Sequence, residues 1–144
     1  MIMSKTPFRV PFAGGLTDLK PYAHPYGGVT VSVTIDKYIY VGVKPNVDGY
    51  FNLKYMDVHE KVSSVDDIRH DLAREALKLT GLEGTPVDIY MMTDLNSESG
   101  LGSSGALTVG LLNAFHAHNG ETVTREQLLE EAGHIEVDIL DGAS

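Results

Sequence analysis

Apolar and polar positions alternate over short spans in the first half of the chain, whereas in the second half apolar residues recur every three or four positions. The alternation predicts strands over 6–12, 27–35 and 37–43, which are rich in Val, Ile, Thr and Tyr, and a further pair over 50–56 and 58–62. Short connections of this kind favour antiparallel pairing. A helix is expected next, capped by Ser64, with Ile68, Leu72, Ala76 and Leu79 on one face and Gly81 as its stop. Residues 87–93 alternate again as a strand. Residues 103–118 then place Leu107, Leu111 and Phe115 four apart, with Gly110 and Ala114 keeping the same side slim, so this helix should pack closely against a neighbour. Thr124 and Gln127 form a capping box for a last helix, whose stripe runs Leu128, Ala132, Ile135, Ile139. Antiparallel strands backed by helices predict an α+β fold, a two-layer sandwich of sheet and helices.

The chain has 144 residues, 42% of them hydrophobic, which suits one compact domain over 1–144. No apolar run approaches the roughly 18 residues of a membrane span, and the N-terminus lacks the apolar core of a signal peptide, so a soluble, cytoplasmic protein is expected. The absence of cysteine removes disulfides and thiolate metal sites. A formal charge of −9 argues against a general nucleic-acid surface. It leaves room for one nucleotide, because a local array of backbone N–H groups can hold a phosphate on an acidic protein.

Gly100-Leu101-Gly102-Ser103-Ser104-Gly105 matches G-x-G-x-x-G, but its context does not suit a dinucleotide fold. Seven residues, Thr93 to Ser99, separate the strand from Gly100, and a second helix rather than a strand follows the first. Glu121 and Glu126 therefore cannot serve as the ribose-binding acid, and NAD binding that ATP fails to compete would be needed to revive a Rossmann oxidoreductase. No Gly-Lys-Ser/Thr follows, which excludes a Walker loop. What remains is a small-residue loop at a helix N-terminus, where N–H groups and the helix dipole favour an anion and the hydroxyls of Ser103 and Ser104 can reach a phosphate oxygen or a magnesium ion. The plain alternative is a serine cap before a buried helix.

A second constellation lies in TPFRVPFAGGLTDLKPY, residues 6–22. Arg9 sits in a strand, and Gly14, Gly15, Thr17 and Asp18 follow where the chain must turn. Cation and carboxylate beside a glycine bend can bind the hydroxyls and phosphate of a polyol, or simply close a strand end as a salt bridge.

GLGSSGA at 100–106 resembles the central phosphate-binding motif of the GHMP kinases, the superfamily of galactokinase, homoserine kinase, mevalonate kinase and phosphomevalonate kinase. TPFRVPFAGGLTDL at 6–19 followed by YGGVTVSVTIDKYIYV at 26–41 resembles its heptose-phosphate kinase and fucokinase-like branch. The resemblance implies the N-terminal domain of that family, a ribosomal protein S5 domain 2-like fold. It implies an ATP-dependent transfer of the γ-phosphoryl group to a hydroxyl of a sugar or sugar phosphate, with mevalonate and galactose kinases as alternatives within the class. By the same resemblance Gly100, Leu101, Gly102, Ser103, Ser104 and Gly105 wrap the ATP phosphates, and Ser104 and Glu136 are the Mg2+ ligands. The stripe Leu129, Ala132, Glu136 separately places that carboxylate at the edge of an apolar face, although a solvated acid on an acid-rich helix is the plain reading. Arg9, Gly14, Gly15, Thr17 and Asp18 match the acceptor site, with Tyr22 counted beside them. The family's catalytic Asp is expected beyond Ser144, because Asp138 and Asp141 come too early, and the family's C-terminal domain is absent from this chain. A noncatalytic nucleotide- or sugar-binding fragment is the rival reading, and a homodimer or a C-terminal half chain is the expected partner, since losing a neighbouring domain exposes an apolar patch. His24, His59, His70, His116, His118 and His134 lack metal-ligand spacing, and His116 with His118 reads as decoration of a helix end. Tyr38, Tyr40, Tyr50 and Tyr55 read as sheet packing.

Overall fold

The computed structural model describes residues 1–15, 17, 20–96, 101 and 103–140. Five strands form one sheet in the order β1-β2-β5-β3-β4: β1 Ile2–Ala13, β2 Val31–Pro45, β3 Phe51–Tyr55, β4 Val58–Val62 and β5 Val87–Thr93. Its helices are α1 Lys20–Tyr26, α2 Asp71–Leu79, α3 Ser103–His118 and α4 Arg125–Gly133. No helix among the described residues is long and apolar enough to cross a membrane.

Three of the four strand pairings are antiparallel, and β3 with β5 is parallel. The parallel pair arises because the chain leaves β4 and crosses through α2 before inserting β5 between β2 and β3. The two strands expected over 27–35 and 37–43 are one continuous strand, β2. The polar step that suggested a break is a bulge: Pro7 pairs with Tyr38 and Arg9 with Thr34, so Ile35, Asp36 and Lys37 lie opposite Phe8 alone. A bulge keeps two strands paired while bending them, which a turn would not. Pro7 and Pro11 are tolerated because β1 is an edge strand.

Alternate residues of the strands, Phe8, Ile39, Val41, Val43, Phe51, Leu53, Val87, Ile89 and Met91, share the buried face with Leu111, Leu112 and Phe115 of α3. Each such side chain contributes about 1.5–3 kcal/mol by leaving water. The opposite face carries cation–aromatic pairs, Lys5 at 3.8 Å over Tyr38 and Lys54 at 5.8 Å over Tyr90.

The helix expected from Ser64 onward begins later. The Ser64 hydroxyl accepts the Asp66 N–H and caps a single 3-10 turn, Val65–Asp67, after which Ile68 turns extended and is buried. His70 then caps α2, and the buried stripe is Ala73, Ala76, Leu77, leaving Leu79 39% exposed. Gly81 ends α2 as expected: at φ 72° it lets its own N–H reach the Lys78 carbonyl and Leu82 N–H reach Leu77.

Contact between α3 and the sheet is close where the sequence is slim. A Cβ on Gly110 would stand 3.1 Å from Thr6 Oγ1 and 3.3 Å from Val41 Cγ2, and the Ser4 hydroxyl donates to the Gly110 carbonyl at 2.7 Å. Thr124 caps α4 through the Gln127 N–H, but the Gln127 amide turns forward to Glu131 at 2.8 Å, so the capping box is only half formed. Beyond Gly133 the helix widens into a π turn, His134–Ile139. The expected stripes are not followed. Ala132 and Ile135 are buried, whereas Leu129 is 72% and Ile139 42% exposed.

Gly110→Val is expected to destabilise the fold by about 1–3 kcal/mol through overpacking. Urea denaturation should show a lower midpoint with an unchanged slope; an unaltered midpoint would mean that α3 can lift from the sheet without loss.

Candidate active site

The candidate site is built where α3 begins. The first turn of a helix leaves its N–H groups without intrahelical partners, and here that turn holds Ser103, Ser104 and Gly105. The Ser104 hydroxyl donates to Glu136 Oε2 at 3.1 Å. A Cβ on Gly105 would lie 3.8 Å from Glu136 Oε1, so the carboxylate sits over the bare backbone of that glycine. Glu136 reaches this place from the π turn, not from the regular stripe with Leu129 expected of it. Gly100, Gly102 and Asp18 lie outside the described residues.

Beside Ser103 and Ser104 opens a cavity of about 540 Å³, lined otherwise by Ile39, Tyr55, Met56, His70, Leu72, Met91, Met92, Thr93 and Leu107. Its walls are mostly apolar, and its polar groups gather at the helix end and around His70. His70 Nδ1 accepts the Ala73 N–H at 3.4 Å, and its ring meets that of Tyr55 edge-on at 4.7 Å. Burial holds His70 below its ordinary pKa, which favours the neutral ring that this acceptor role requires.

Behind Tyr55 stands a buried carboxylate. Glu60 is 3% exposed and accepts the Tyr55 hydroxyl at 2.6 Å and the Arg69 N–H at 2.8 Å. Burial alone would raise the Glu60 pKa, but these donors and the Arg69 guanidinium outweigh it and hold the carboxyl below its usual range. Burial, with the same hydrogen bond, pushes the Tyr55 phenol up to about 12.

The N-terminal constellation is a separate knot. Gly14, at φ 79°, admits no side chain, since a Cβ would come within 1.8 Å of the Val29 carbonyl oxygen. The Thr17 hydroxyl donates to the Gly14 carbonyl at 2.7 Å and accepts the Val29 N–H at 3.2 Å, and Thr30 donates to the same carbonyl at 3.2 Å. Thr17 is therefore turned into the bend. Gly15 faces open space, Arg9 is exposed on β1, and Tyr22 is half exposed with its ring 5.3 Å from Tyr26. None of these residues lines the cavity.

Residues 68–144 match the family model described as the GHMP kinases N terminal domain. The chain belongs to that family. It is 27% identical over 128 residues to the D-glycero-alpha-D-manno-heptose 7-phosphate kinase of Campylobacter jejuni, covering 79% of this chain and 37% of the relative. It superposes on a crystal structure of a D-glycero-D-manno-heptose 1-phosphate kinase from Bacteroides thetaiotaomicron with a TM-score of 0.85 at 26% identity, covering 100% of this chain and 50% of the other. The phosphomevalonate kinase of Streptococcus pneumoniae, solved with phosphomevalonate and AMPPNP, shares the fold at a TM-score of 0.77 and 20% identity, over 100% of this chain and 45% of that one. The chain thus spans half or less of the length of these relatives.

Sequence reasoning missed His70, Met56 and Glu60, and took Tyr55 for sheet packing. A signal for Glu60 was present: it occupies an inward position of β4, where an acid must be paired to be buried. His70 carried no such mark, because its place depends on where α2 starts.

Tyr55→Phe removes one donor to a buried carboxylate and should cost about 1–3 kcal/mol at neutral pH. Because the folded pKa of Glu60 is depressed, its contribution is present above the ordinary glutamate pKa and is lost as pH falls through the lower folded value. Melting temperatures followed from neutral pH into acid should converge for wild type and variant; parallel curves would remove Glu60 from this role.

Proposed function

We propose that residues 1–144 are the nucleotide-holding N-terminal domain of an ATP-dependent kinase that transfers the γ-phosphoryl group to a hydroxyl of a sugar or sugar phosphate, with a heptose phosphate as acceptor. The observation that carries this reading is the joining of Ser104 to Glu136 at 3.1 Å on the rim of the cavity. An apolar cavity of this size suits a nucleoside base, and the adjoining helix N-terminus suits the phosphates attached to it. The heptose-phosphate kinases among the relatives favour a sugar phosphate acceptor.

A serine hydroxyl and a carboxylate are hard oxygen donors, a set that fits Mg2+ with the remaining ligands from phosphates and water. Ser104 and Glu136 would hold the ion, which when bound neutralises charge on the transferring phosphoryl group. The rest of the work falls to the chain itself. The first turn of α3 presents N–H groups, Gly105 lets phosphate oxygens approach the backbone, and the cavity excludes water from the base. By the sequence resemblance Arg9 and Asp18 would bind the acceptor, and Thr17 holds the Gly14 bend in shape. A second domain would complete the cleft. Beside the bend Phe12, Tyr26, Val29 and Val31 are 58–77% exposed, which supports a covering partner there.

The test is ADP release from Mg-ATP with heptose phosphates, other sugar phosphates, galactose and mevalonate. Acceptor-dependent release is expected with a heptose phosphate, and Ser104→Ala and Glu136→Gln should each lower turnover about a hundredfold or more and weaken its magnesium dependence. Unaltered turnover in both variants would cancel the metal assignment. ATP binding without release for any acceptor would favour a noncatalytic binding domain.

A further inference from the structure

A second polar tie joins the same helices at the far end of α3. His116, read from sequence as decoration of a helix end, is 6% exposed, with Nδ1 2.5 Å from Glu121 Oε2 and Nε2 2.7 Å from Glu131 Oε2. A neutral imidazole carries one N–H, so a ring with a carboxylate at each nitrogen donates to both only as imidazolium. Burial opposes that charge, but the two carboxylates outweigh it and raise the pKa of the ring. Gln127 steadies the assembly by donating to the other oxygen of Glu131 at 2.8 Å.

The position of this clamp gives it a consequence for the site. Glu131 and Glu136 lie on one unbroken helical run, and the change from α to π hydrogen bonding at His134 falls between them. On α3 their partners His116 and Ser104 are 12 residues apart. That separation is about 18 Å of helix. α4 and its extension are thus tied to α3 at two levels, once through Glu131 of α4 and once through Glu136 from within the π turn itself. A π turn is rare and persists where its surroundings determine it; within this one His134 meets Asp138 at 3.1 Å, and just upstream Glu131 is tied to α3 through His116.

We infer that His116 is a positioning residue for Glu136: by bridging Glu121 and Glu131 it holds α4 on α3 and so sets the π turn that presents Glu136 to Ser104. This rests on the reading of Ser104 and Glu136 as magnesium ligands. The charged groups facing the ring are Glu121, from the loop after α3, and Glu131, from α4. Since the folded pKa of His116 is raised, the clamp is complete below the ordinary histidine pKa and is lost as pH rises through the raised folded value.

Ring nitrogen NMR on the full-length chain locates the His116 titration, and the magnesium dependence of ATP binding is then measured on both sides of it. Three proteins are compared: wild type, His116→Gln, and the double variant Glu121→Gln/Glu131→Gln, which keeps the ring and the side-chain volumes. In wild type the magnesium affinity of the ATP-loaded protein should fall about tenfold as pH rises through the titration. In the double variant both the titration and the fall should move to lower pH, and in His116→Gln the pH-dependent fall should vanish. The same pH profile in all three proteins, or a His116→Gln protein that merely melts earlier with magnesium affinity unchanged, would overturn the positioning role. Wild type that shows no magnesium-dependent ATP binding at any pH would overturn the kinase reading and this inference with it.

Discussion

Everything in this fold depends on how closely α3 can approach the sheet. The helix is buried on most of its circumference, through Thr108, Gly110, Leu111, Leu112, Ala114, Phe115 and His116, because it packs on β1 and β2 and is flanked by α2 and α4. Gly110 lets the helix backbone come near enough for Ser4 of β1 to donate to its carbonyl. The same approach fixes the height of the helix N-terminus relative to β2 and β5. The cavity floor of Ile39, Met91 and Leu107 follows from that fixed height. Packing of the interior and geometry of the site are therefore one constraint, because close-packed interiors transmit displacement instead of absorbing it.

Electrostatics on this acidic chain are arranged locally. The formal charge is −9, yet several acids beside the helices are paired: Glu60 with Tyr55 and Arg69, Glu121 and Glu131 with His116, Asp66 with Lys78 at 2.7 Å. For Glu60 and Glu131 the pairing compensates charge where the carboxylate is largely withdrawn from water. At the start of α3 the helix dipole then supplies a positive environment that net charge alone would not suggest. Glu136 is the acid brought to that end, and it arrives hydrogen-bonded to Ser104.

Two hinges of the chain are marked by departures from regular structure. The bulge at Asp36 shifts the register of β2 against β1, and the pairing then continues to Ala13 and Val31 beside the Gly14 bend. The π turn at His134–Ile139 does the corresponding work for the last helix by re-aiming Glu136. In both places one or more residues are added to a regular pattern, and the side chain of interest moves to a face that a regular element would not offer it.

The elements were largely legible in the sequence because they rest on local periodicity: β5, α3, the β3–β4 hairpin and the Gly81 stop follow from alternation, four-residue spacing and a residue that accepts positive φ. The pairing of Ser104 with Glu136 was legible only through the family resemblance, because the last helix carries several acids and local pattern does not single one out. Other features had no local signature. The merging of two strands into β2, the late start of α2, the parallel insertion of β5 and the π turn each depend on what lies across the interior. The burial of His116 between Glu121 and Glu131 belongs with them, since a polar residue becomes a core residue only when partners arrive from elsewhere in the chain. Sequence determined which segments are helix or strand and which residue types gather at the glycine turn. Tertiary structure alone decided which side chains share a hydrogen bond or a cavity wall, because those contacts join segments whose separation along the chain carries no record of their distance in space.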